Sequence, residues 1–352
     1  MHIPMGDRID ALCLRQCAFA LYCLPGESQP VVFCMAEDGR TQEDFIFLKG
    51  FLLATFDGST RFIPSELQEV PLPDAWEEMS IQPADAATTR GQYAGLFSLY
   101  TGFIHSGEVR KIVLARTADV NTESGFSPSK AFATACEQNP NAFKALVHTP
   151  QHGTWLFCTP EQLITGSGEQ WHTMALAGTR IPCTLPWDAK NKREQALVSD
   201  FIREVLTPLC DDIHEAPLEN LRAGRIEHLC TRFSFHMPPG RLLSVLDQLP
   251  PTPAVCGSPV GDARRLLQQY PDIDRSCYAG YLGPWGNATG HTGPWGNGSV
   301  QLYVSLRCMQ IFPGFCRLYA GGGLMPDSDE EQEWQETENK MACMQQAIAG
   351  AY

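Results

Sequence analysis

Apolar residues recur at helical spacing in two long stretches of the chain. Across residues 92–104 they fall on one helical face, at Tyr93, Leu96, Phe97, Tyr100 and Ile104. Gly107 follows this stretch, and glycine is a common helix stop. Residues 191–210 repeat the pattern, with apolar positions at Leu197, Phe201 and Val205. The pattern therefore predicts two long amphipathic helices.

Shorter apolar runs, rich in β-branched and aromatic residues, predict strands elsewhere. These runs span residues 45–48, 51–56, 109–115, 145–148 and 154–158. Residues 299–312 and 315–319 are typical of a hairpin with Pro313-Gly314 at its turn. The proline-rich stretch 250–259 is a loop by composition. Many strands mixed with several helices, without regular strand–helix alternation, predict an α+β fold.

Two segments interrupt this pattern. An acidic, proline-rich connection over residues 70–85 separates the N-terminal strands from the first long helix. The pentapeptide Gly-Pro-Trp-Gly-Asn occurs at residues 283–287 and again at residues 293–297. Loops tolerate such duplication well, so the repeat indicates a duplicated hairpin tip, and no chemistry is assigned to it.

Composition and charge exclude several classes of function. The 352 residues carry a formal net charge of −14, which disfavours nucleic acids and anionic membrane surfaces as partners. No apolar run approaches membrane-spanning length, and residues 1–10 lack the apolar core of a signal peptide. The 14 cysteines are scattered without a C-x-x-C pair, which favours reduced thiols over a zinc site. A cytoplasmic protein without a membrane partner is expected.

Three charged residues share one face of a helix predicted near the C-terminus. Glu333, Glu336 and Lys340 stand at i, i+3 and i+7, after a glycine turn predicted at residues 319–324. Carboxylates on one helical face can bind a hard divalent cation, and the lysine can hold an anion beside it. The alternative is an ordinary solvated face, because residues 327–338 are rich in Asp and Glu.

Lys111 and Glu161 are candidates for proton transfer. Lys111 stands inside an apolar strand, where burial favours the neutral amine and makes it a usable base. Glu161 follows the strand at residues 154–158, where apolar walls would keep the carboxyl group protonated as an acid. Each has a structural alternative: an edge-strand lysine that discourages aggregation, and an ordinary turn glutamate.

Four further features are ambiguous when taken singly. Residues 176–179, Leu-Ala-Gly-Thr, form a predicted turn of small residues whose backbone N–H groups an anion can approach. Arg307 lies in a predicted strand, where a guanidinium needs an anionic partner, either a ligand or a structural carboxylate. Glu194 also fits a solvated helix start, and His228 fits a core histidine.

Taken in order, these motifs resemble the chorismate-binding enzymes, a family that includes isochorismate, salicylate, anthranilate and aminodeoxychorismate synthases. The resemblance covers approximately residues 90–350. Nine segments carry it: residues 110–116, 159–161, 175–179, 190–194, 228–229, 251–254, 305–307, 319–323 and 333–337. Residues 1–90 match poorly and are interpreted as a variable N-terminal part of the same domain. Residues 91–352 then form the catalytic region.

The resemblance implies two large, mostly antiparallel sheets stacked face to face, with helices outside and an active site that uses Mg²⁺. It assigns Glu194 and Glu336 as magnesium ligands, with Glu333 near the ion. The carboxylates of the substrate, chorismate, would be held by Arg307, Lys340 and the backbone of Gly178, Gly321 and Gly323. Thr179 and His228 would line the same pocket.

Within the family, the resemblance is closest to isochorismate synthases of the menaquinone type. These enzymes add water at C2 of chorismate and expel the C4 hydroxyl group. Lys111 and Glu161 fall where isochorismate and salicylate synthases keep the base and the acid. Anthranilate synthases usually lack that lysine, and aminodeoxychorismate synthases often carry a lysine where this chain has Ala177. A monomer without a glutaminase subunit is therefore expected.

Alternatives stay open at this point. A salicylate synthase would share the same base and acid, because its extra step depends on pocket shape. A non-catalytic chorismate-binding subunit would keep the fold without the chemistry. The chain also departs from the family's pattern in the short segment 179–194 and in the inserted pentapeptide repeat.

Overall fold

Two antiparallel sheets form the framework of the chain. The computed structural model describes residue 10 and residues 18–27, 32–36, 49–64, 82–83, 85–286 and 299–352. The first sheet has eight strands, in spatial order β13 (Gly257–Ser258), β5 (Lys111–Asn121), β17 (Phe315–Leu324), β16 (Cys308–Phe312), β7 (Gly153–Thr159), β6 (Phe143–Thr149), β1 (Ala18–Cys23) and β2 (Val32–Ala36).

The second sheet has nine strands. Its spatial order is β10 (Asp211–Glu215), β12 (Ile226–His236), β9 (Gln170–Arg180), β8 (Gln162–Ser167), β15 (Val300–Val304), β14 (Tyr281–Trp285), β3 (Gly50–Ala54) and β4 (Thr60–Pro64), and β11 (Glu219–Ala223) pairs with β12. The N-terminal strands therefore extend both sheets, because β1 and β2 join the first and β3 and β4 join the second.

Apolar side chains of the two sheets share one core. The ring of Phe143 in β6 stacks on the ring of Tyr303 in β15, with centroids 4.2 Å apart and planes 3° from parallel. Trp155 of the first sheet and Trp171 of the second belong to the same cluster of buried residues. Side chains from the inner faces of two antiparallel sheets thus pack against each other, as in a β-sandwich. The predicted α+β architecture with two stacked sheets is therefore confirmed.

Six helices are seen in the described part of the chain. They are α1 (Arg90–His105), α2 (Pro128–Gln138), α3 (Ala189–Leu206), α4 (Leu242–Gln248), α5 (Val260–Gln269) and α6 (Glu330–Ala349). Helices α2 and α6 cover the outer face of the first sheet, where Phe132 and Met341 pack against Leu156 and Met309. None of the described helices is both long and apolar enough to cross a membrane.

Local signals predicted α1 well. Thr89 caps its N-terminus by accepting from the backbone N–H of Gln92, whose side chain in turn accepts from the N–H of Thr89. Tyr93, Tyr100 and Ile104 are buried, as their spacing indicates. The second predicted helix is also present as α3, but it ends at Leu206.

Three local predictions were wrong, and each error matters for the site. Residues 299–312 are not one strand: the chain leaves the second sheet after β15, crosses Ser305 to Arg307, and enters the first sheet as β16. Residues 176–179 lie inside β9, and Gly321 to Gly323 lie inside β17, although both stretches were predicted as turns. Pairing with β5 holds Gly321 to Gly323 in the strand, whereas Gly178 has a φ of 71° at an irregularity in the pairing of β9 with β12.

Some predictions concern residues outside the described part of the chain. These include the strand at residues 45–48, most of the connection at residues 70–85, and the second copy of the pentapeptide repeat. In the first copy, Gly283 to Trp285 lie in β14 and pair with β3, so this part of the repeat is strand and not a hairpin tip.

Candidate active site

A cavity opens where the chain crosses between the two sheets. It encloses about 610 Å³ including its open mouth. Nine of the twelve residues predicted from sequence line it, although they come from seven separate elements or junctions: Glu161, Gly178, Thr179, Glu194, His228, Arg307, Gly321, Gly323 and Lys340. Lys111, Glu333 and Glu336 do not line the cavity; Lys111 and Glu336 are paired with the lining residues Glu194 and Lys340.

Glu161 occupies the short junction between β7 and β8. Its backbone is fixed on both sides, because its N–H donates to Thr159 Oγ1 at 3.2 Å and its carbonyl accepts from Val304 at 3.0 Å. The side chain is 2% exposed, and its Oε1 makes no hydrogen bond to any described residue. Burial raises the pKa of Glu161 to about 8, against the opposing effect of Lys111, Arg307 and Lys340. The carboxyl group is therefore protonated at neutral pH.

Lys111 begins β5 and is fully buried. Its Nζ forms an ion pair with Glu194 Oε1 at 2.9 Å. Although burial acts to raise it, the pKa of Glu194 is lowered, chiefly by Lys111. Glu194, from the first turns of α3, thus stands between the lysine and the cavity. Gly323 permits this approach, because a Cβ at that position would collide with both Glu194 Oε1 and the Lys111 side chain.

Arg307 projects from the crossing between the sheets, at a backbone φ of 48°. Its Nη2 lies 2.6 Å from His228 Nε2, and His228 Nδ1 lies 2.8 Å from the carbonyl oxygen of Gly178. Burial, and then the charges of Arg307 and Lys340, hold the pKa of His228 well below its usual value. Neutral His228 therefore accepts from Arg307 through Nε2 and donates through Nδ1–H to Gly178.

The acidic face of α6 meets the glycine segment of β17. Lys340 Nζ donates to the carbonyl oxygen of Gly321 at 2.9 Å and to Glu336 Oε1 at 2.6 Å. Glu333 is 1% exposed and accepts from Ser328 Oγ at 2.6 Å and from Lys190. Burial, and then Glu336, raise the pKa of Glu333 to about 6, although Lys190 opposes the shift. The three side chains lie along one side of α6, where Glu333 is buried and Glu336 and Lys340 are partly exposed.

Three glutamates therefore gather around two consecutive glycines. A Cβ at Gly322 would lie 2.7 Å from Glu333 Oε2 and 3.8 Å from Glu336 Oε1. Each carboxylate has its own lysine: Lys111 for Glu194, Lys190 for Glu333 and Lys340 for Glu336. Three negative and three positive charges nearly cancel in this cluster.

The fit of this cluster to Mg²⁺ can be judged from its atoms. Carboxylate oxygens are the donors that Mg²⁺ prefers, and Gly322 leaves the space that a Cβ would fill. Yet within the described residues no three acidic, imidazole or thiol groups already converge as a metal site requires. The carboxylate oxygens are donors that suit Mg²⁺. In this structure the three lysines neutralise the carboxylates.

Two residues of the site were missed from the sequence alone. Lys190 lies one helical turn before Glu194, so the i, i+4 spacing was a usable signal for placing both at one site. Tyr278 lines the cavity from the loop before β14. Its hydroxyl oxygen lies only 2.8 Å from the position that a Cβ of Gly321 would take. No local pattern marked Tyr278, because only the fold brings it to Gly321.

Comparisons with known proteins agree with this architecture. A family model described as "Chorismate binding enzyme" matches residues 66–349. The isochorismate synthase MenF of Escherichia coli (strain K12) is 30% identical over 285 residues, which are 75% of this chain and 64% of that protein. Isochorismate synthase 2, chloroplastic, of Arabidopsis thaliana is 30% identical over 251 residues, which are 66% of this chain and 42% of that protein.

The chain thus spans less than two thirds of the length of either curated relative. Among solved structures, the menaquinone-specific isochorismate synthase MenF from Escherichia coli superposes with a TM-score of 0.75 at 22% identity, over 99% of this chain and 93% of that one. At this identity the superposition establishes the fold.

Proposed function

Because the chain belongs to the chorismate-binding enzymes, we propose that it is an isochorismate synthase of the menaquinone type. Such an enzyme is an isomerase that adds water at C2 of chorismate and expels the C4 hydroxyl group. Both named curated relatives are isochorismate synthases, which supports this choice within the family. The single observation that carries the proposal is Glu161, a buried and protonated carboxyl group without a hydrogen-bond partner for Oε1 among the described residues.

Glu161 is proposed as the general acid. Hydroxide is a poor leaving group, so the C4 oxygen must receive a proton as its bond to carbon breaks. A carboxyl group with a pKa of about 8 holds its proton at neutral pH and can still release it to a developing hydroxide. Its free Oε1 needs a partner, and the departing hydroxyl group supplies one.

Lys111 is proposed as the general base that takes a proton from the water attacking C2. Its ion pair with Glu194 at 2.9 Å fixes the amine beside the cavity, and Lys111 must first release the proton of this pair to act as the base. Full burial keeps bulk water away from the amine, so the only water it activates is one admitted with the substrate. Base and acid thus approach the cavity from different elements, β5 and the β7–β8 junction.

Arg307 and Lys340 are proposed to bind the two carboxylates of chorismate. Arg307 is held by neutral His228 and forms no ion pair with a described carboxylate, so its charge is available to a ligand. Lys340 shares its ammonium between Glu336 and the carbonyl of Gly321. Gly178, Gly321 and Gly323 line the cavity beside these two cations, and their backbone is proposed to contact the same carboxylates.

Glu194 and Glu336, with Glu333 beside them, are proposed to hold Mg²⁺. When bound, the ion would neutralise negative charge on the substrate and on these glutamates. Lys190 and Lys340 already perform part of that neutralisation for Glu333 and Glu336. Their place in the cluster explains why three carboxylates can be buried so closely in the folded chain.

Product analysis tests the proposal. The purified protein is incubated with chorismate and Mg²⁺, and the products are separated by chromatography. Isochorismate is expected, and Glu161→Gln should form it at a strongly reduced rate. Salicylate as the main product would replace the proposal with a salicylate synthase, and anthranilate formed with ammonia would replace it with an anthranilate synthase. Unchanged chorismate would indicate a binding subunit.

A further inference from the structure

A second cavity lies behind Arg307, on the side away from the proposed substrate site. It encloses about 870 Å³ including its mouth, and we call it the rear cavity. The two cavities share Pro160 and Arg307 as lining residues. Polar and apolar groups line the rear cavity about equally, and two cysteines line it as well, Cys158 of β7 and Cys343 of α6. Nothing in the proposed reaction uses these thiols.

The two thiols lie in one packed cluster between the elements that frame the site. The interaction between them is the main reason that the pKa of Cys158 is raised and the pKa of Cys343 is lowered. Cys158 is buried, whereas Cys343 is partly exposed. Arg307 and the side chain of Asn139 further lower the pKa of Cys343. Of the two thiols, Cys343 is therefore the more accessible and the more readily ionised.

Two buried cations flank this pair. Lys144 is directly opposite Cys158 in the β6–β7 pairing and is fully buried. Its Nζ makes only a long hydrogen bond, 3.5 Å, to the carbonyl oxygen of Pro140, and it forms no ion pair with a described carboxylate. Arg307 stands on the other side, its carbonyl accepting from the backbone N–H of Cys158 at 3.0 Å. Such an electropositive setting is typical of reactive cysteines.

We propose that Cys158 and Cys343 form a reversible disulfide when a small peroxide enters the rear cavity, and that this bond impairs the neighbouring substrate site. The Cys343 thiolate attacks one oxygen of hydrogen peroxide, which breaks the O–O bond and gives a sulfenic acid and hydroxide. Cys158 sulfur then attacks the Cys343 sulfur, and water leaves with the Cys158 proton. The two sulfurs lose two electrons, and the peroxide is reduced to water.

The effect on the site follows from distance. A disulfide requires the sulfurs to approach to about 2.05 Å, so its formation draws α6 and β7 together. Lys340 lies one turn of α6 before Cys343, and Arg307 is hydrogen-bonded to Cys158. A misplacement of about 1 Å in groups that position a substrate costs up to about 100-fold in rate. This second part rests on the proposed function.

The chain contains a matched control. Cys136 of α2 and Cys23 of β1 form another contact between thiols, and both are buried. Burial raises the pKa of Cys136 to about 12, so this thiol stays protonated at neutral pH. Cys183 is exposed and will react with peroxide by itself, which is why each cysteine must be followed separately.

The test treats the native protein with hydrogen peroxide and maps every cysteine by mass spectrometry, with turnover of chorismate measured in parallel. A peptide linked through Cys158 and Cys343, lighter by about 2 Da than its two reduced peptides, is expected. Turnover should fall at least about tenfold and return with dithiothreitol. Cys343→Ser should resist the loss, and Cys136→Ser should behave as the native protein does.

Several results would overturn the proposal. The disulfide would be excluded if Cys158 and Cys343 were both still reduced after treatment. It would also be excluded if Cys343 were oxidised to a sulfinic acid while Cys158 stayed reduced. Either result holds regardless of how the variants behave. A linked peptide with unchanged turnover would exclude the effect on the substrate site. Loss of turnover that persists in Cys343→Ser would assign it to another cysteine. Because mapping needs no substrate, the disulfide can be judged even if the proposed function is wrong.

Discussion

Arg275 and Arg307 are both enclosed by protein, and their surroundings are opposite. Arg275 donates to Asp272 through Nε and Nη2, to the carbonyl of Val255 at 2.8 Å and to the carbonyl of Val113 at 2.8 Å. Asp272 in turn accepts from the backbone N–H of Ala115 at 2.8 Å. Arg307 instead donates to a neutral imidazole and forms no ion pair with a described carboxylate.

The electrostatics of the two sites differ in the same way. Burial acts against the charge of Arg275, but Asp272 outweighs it and raises the pKa of the guanidinium. Burial lowers the pKa of Arg307, because no nearby carboxylate compensates as fully. An enclosed charge with an incomplete set of partners costs stability. The charges around Arg275 therefore stabilise the fold, and we propose that Arg307 is left without a carboxylate partner because it binds a ligand.

The largest expected effect tests whether the carboxylates serve a cation. Glu336→Gln should abolish Mg²⁺-dependent turnover and weaken Mg²⁺ binding in calorimetry, since the amide cannot supply a negative oxygen donor. Unfolding by denaturant should be nearly unchanged. Glu338→Gln, on the same helix but paired with Arg116, is the control and should keep Mg²⁺ binding. Full activity of Glu336→Gln would contradict the assignment.

The next effect concerns the proposed base. Lys111→Ala should lower the rate of isochorismate formation by about 10²–10⁴-fold, the usual contribution of a general base. Chorismate binding, measured by calorimetry, should remain because Arg307 and Lys340 are untouched. Lys144→Ala removes the other fully buried lysine of the first sheet and controls for general damage to that sheet. A near-native rate in Lys111→Ala would make Lys111 a structural residue.

The comparison of the two arginines can be tested directly by paired variants. Arg275→Met should lower the free energy of unfolding by about 3–5 kcal/mol, because Asp272 is left buried without a partner. Arg307→Met should change it by less than about 1 kcal/mol, yet weaken chorismate binding by at least about 30-fold. Denaturant unfolding and calorimetry measure the two quantities. Equal loss of stability in both variants would remove the distinction drawn between them.

A smaller effect is expected in the pH dependence of stability. The folded pKa of Glu161, about 8, lies above the ordinary value of 4.5, so folding favours the protonated form. The resulting stabilisation is present below pH 4.5 and is lost as pH rises through 8. Glu161→Gln lacks this loss, so its stability relative to the native protein should rise by roughly 3–4 kcal/mol between pH 5 and pH 8. Parallel stability curves would contradict the raised pKa.

Local sequence information was sufficient where local forces decide the structure. The helix α1 has its own capping box and apolar stripe, and the β16–β17 hairpin has its own Pro313-Gly314 turn, so both were predicted. The glycines at residues 321–323 were predicted as a turn because glycine alone favours one. Their strand conformation depends on pairing with residues 113–115, about 200 positions earlier, which no local pattern encodes.

The site shows the same division. Glu161, Arg307 and Lys340 were recognised through their motifs, and the fold brings them to one cavity. The prediction that Arg307 lies in a strand was wrong. Arg307 lies where the chain crosses between the sheets, because β15 pairs in the second sheet and β16 in the first, and its apolar neighbours in sequence do not encode this crossing. The pairing of Lys190 with Glu333 joins residues 143 positions apart and required the structure.

The central claim is that the cavity keeps Glu161 protonated at neutral pH for use as an acid. Carbon-13 NMR of protein labelled at glutamate carboxyl groups, recorded from pH 4 to pH 10 and compared with Glu161→Gln, identifies this signal and measures its titration directly. The account predicts a carboxyl group that titrates near 8 and is absent from the variant. Titration of Glu161 near the ordinary value of 4.5 would contradict it.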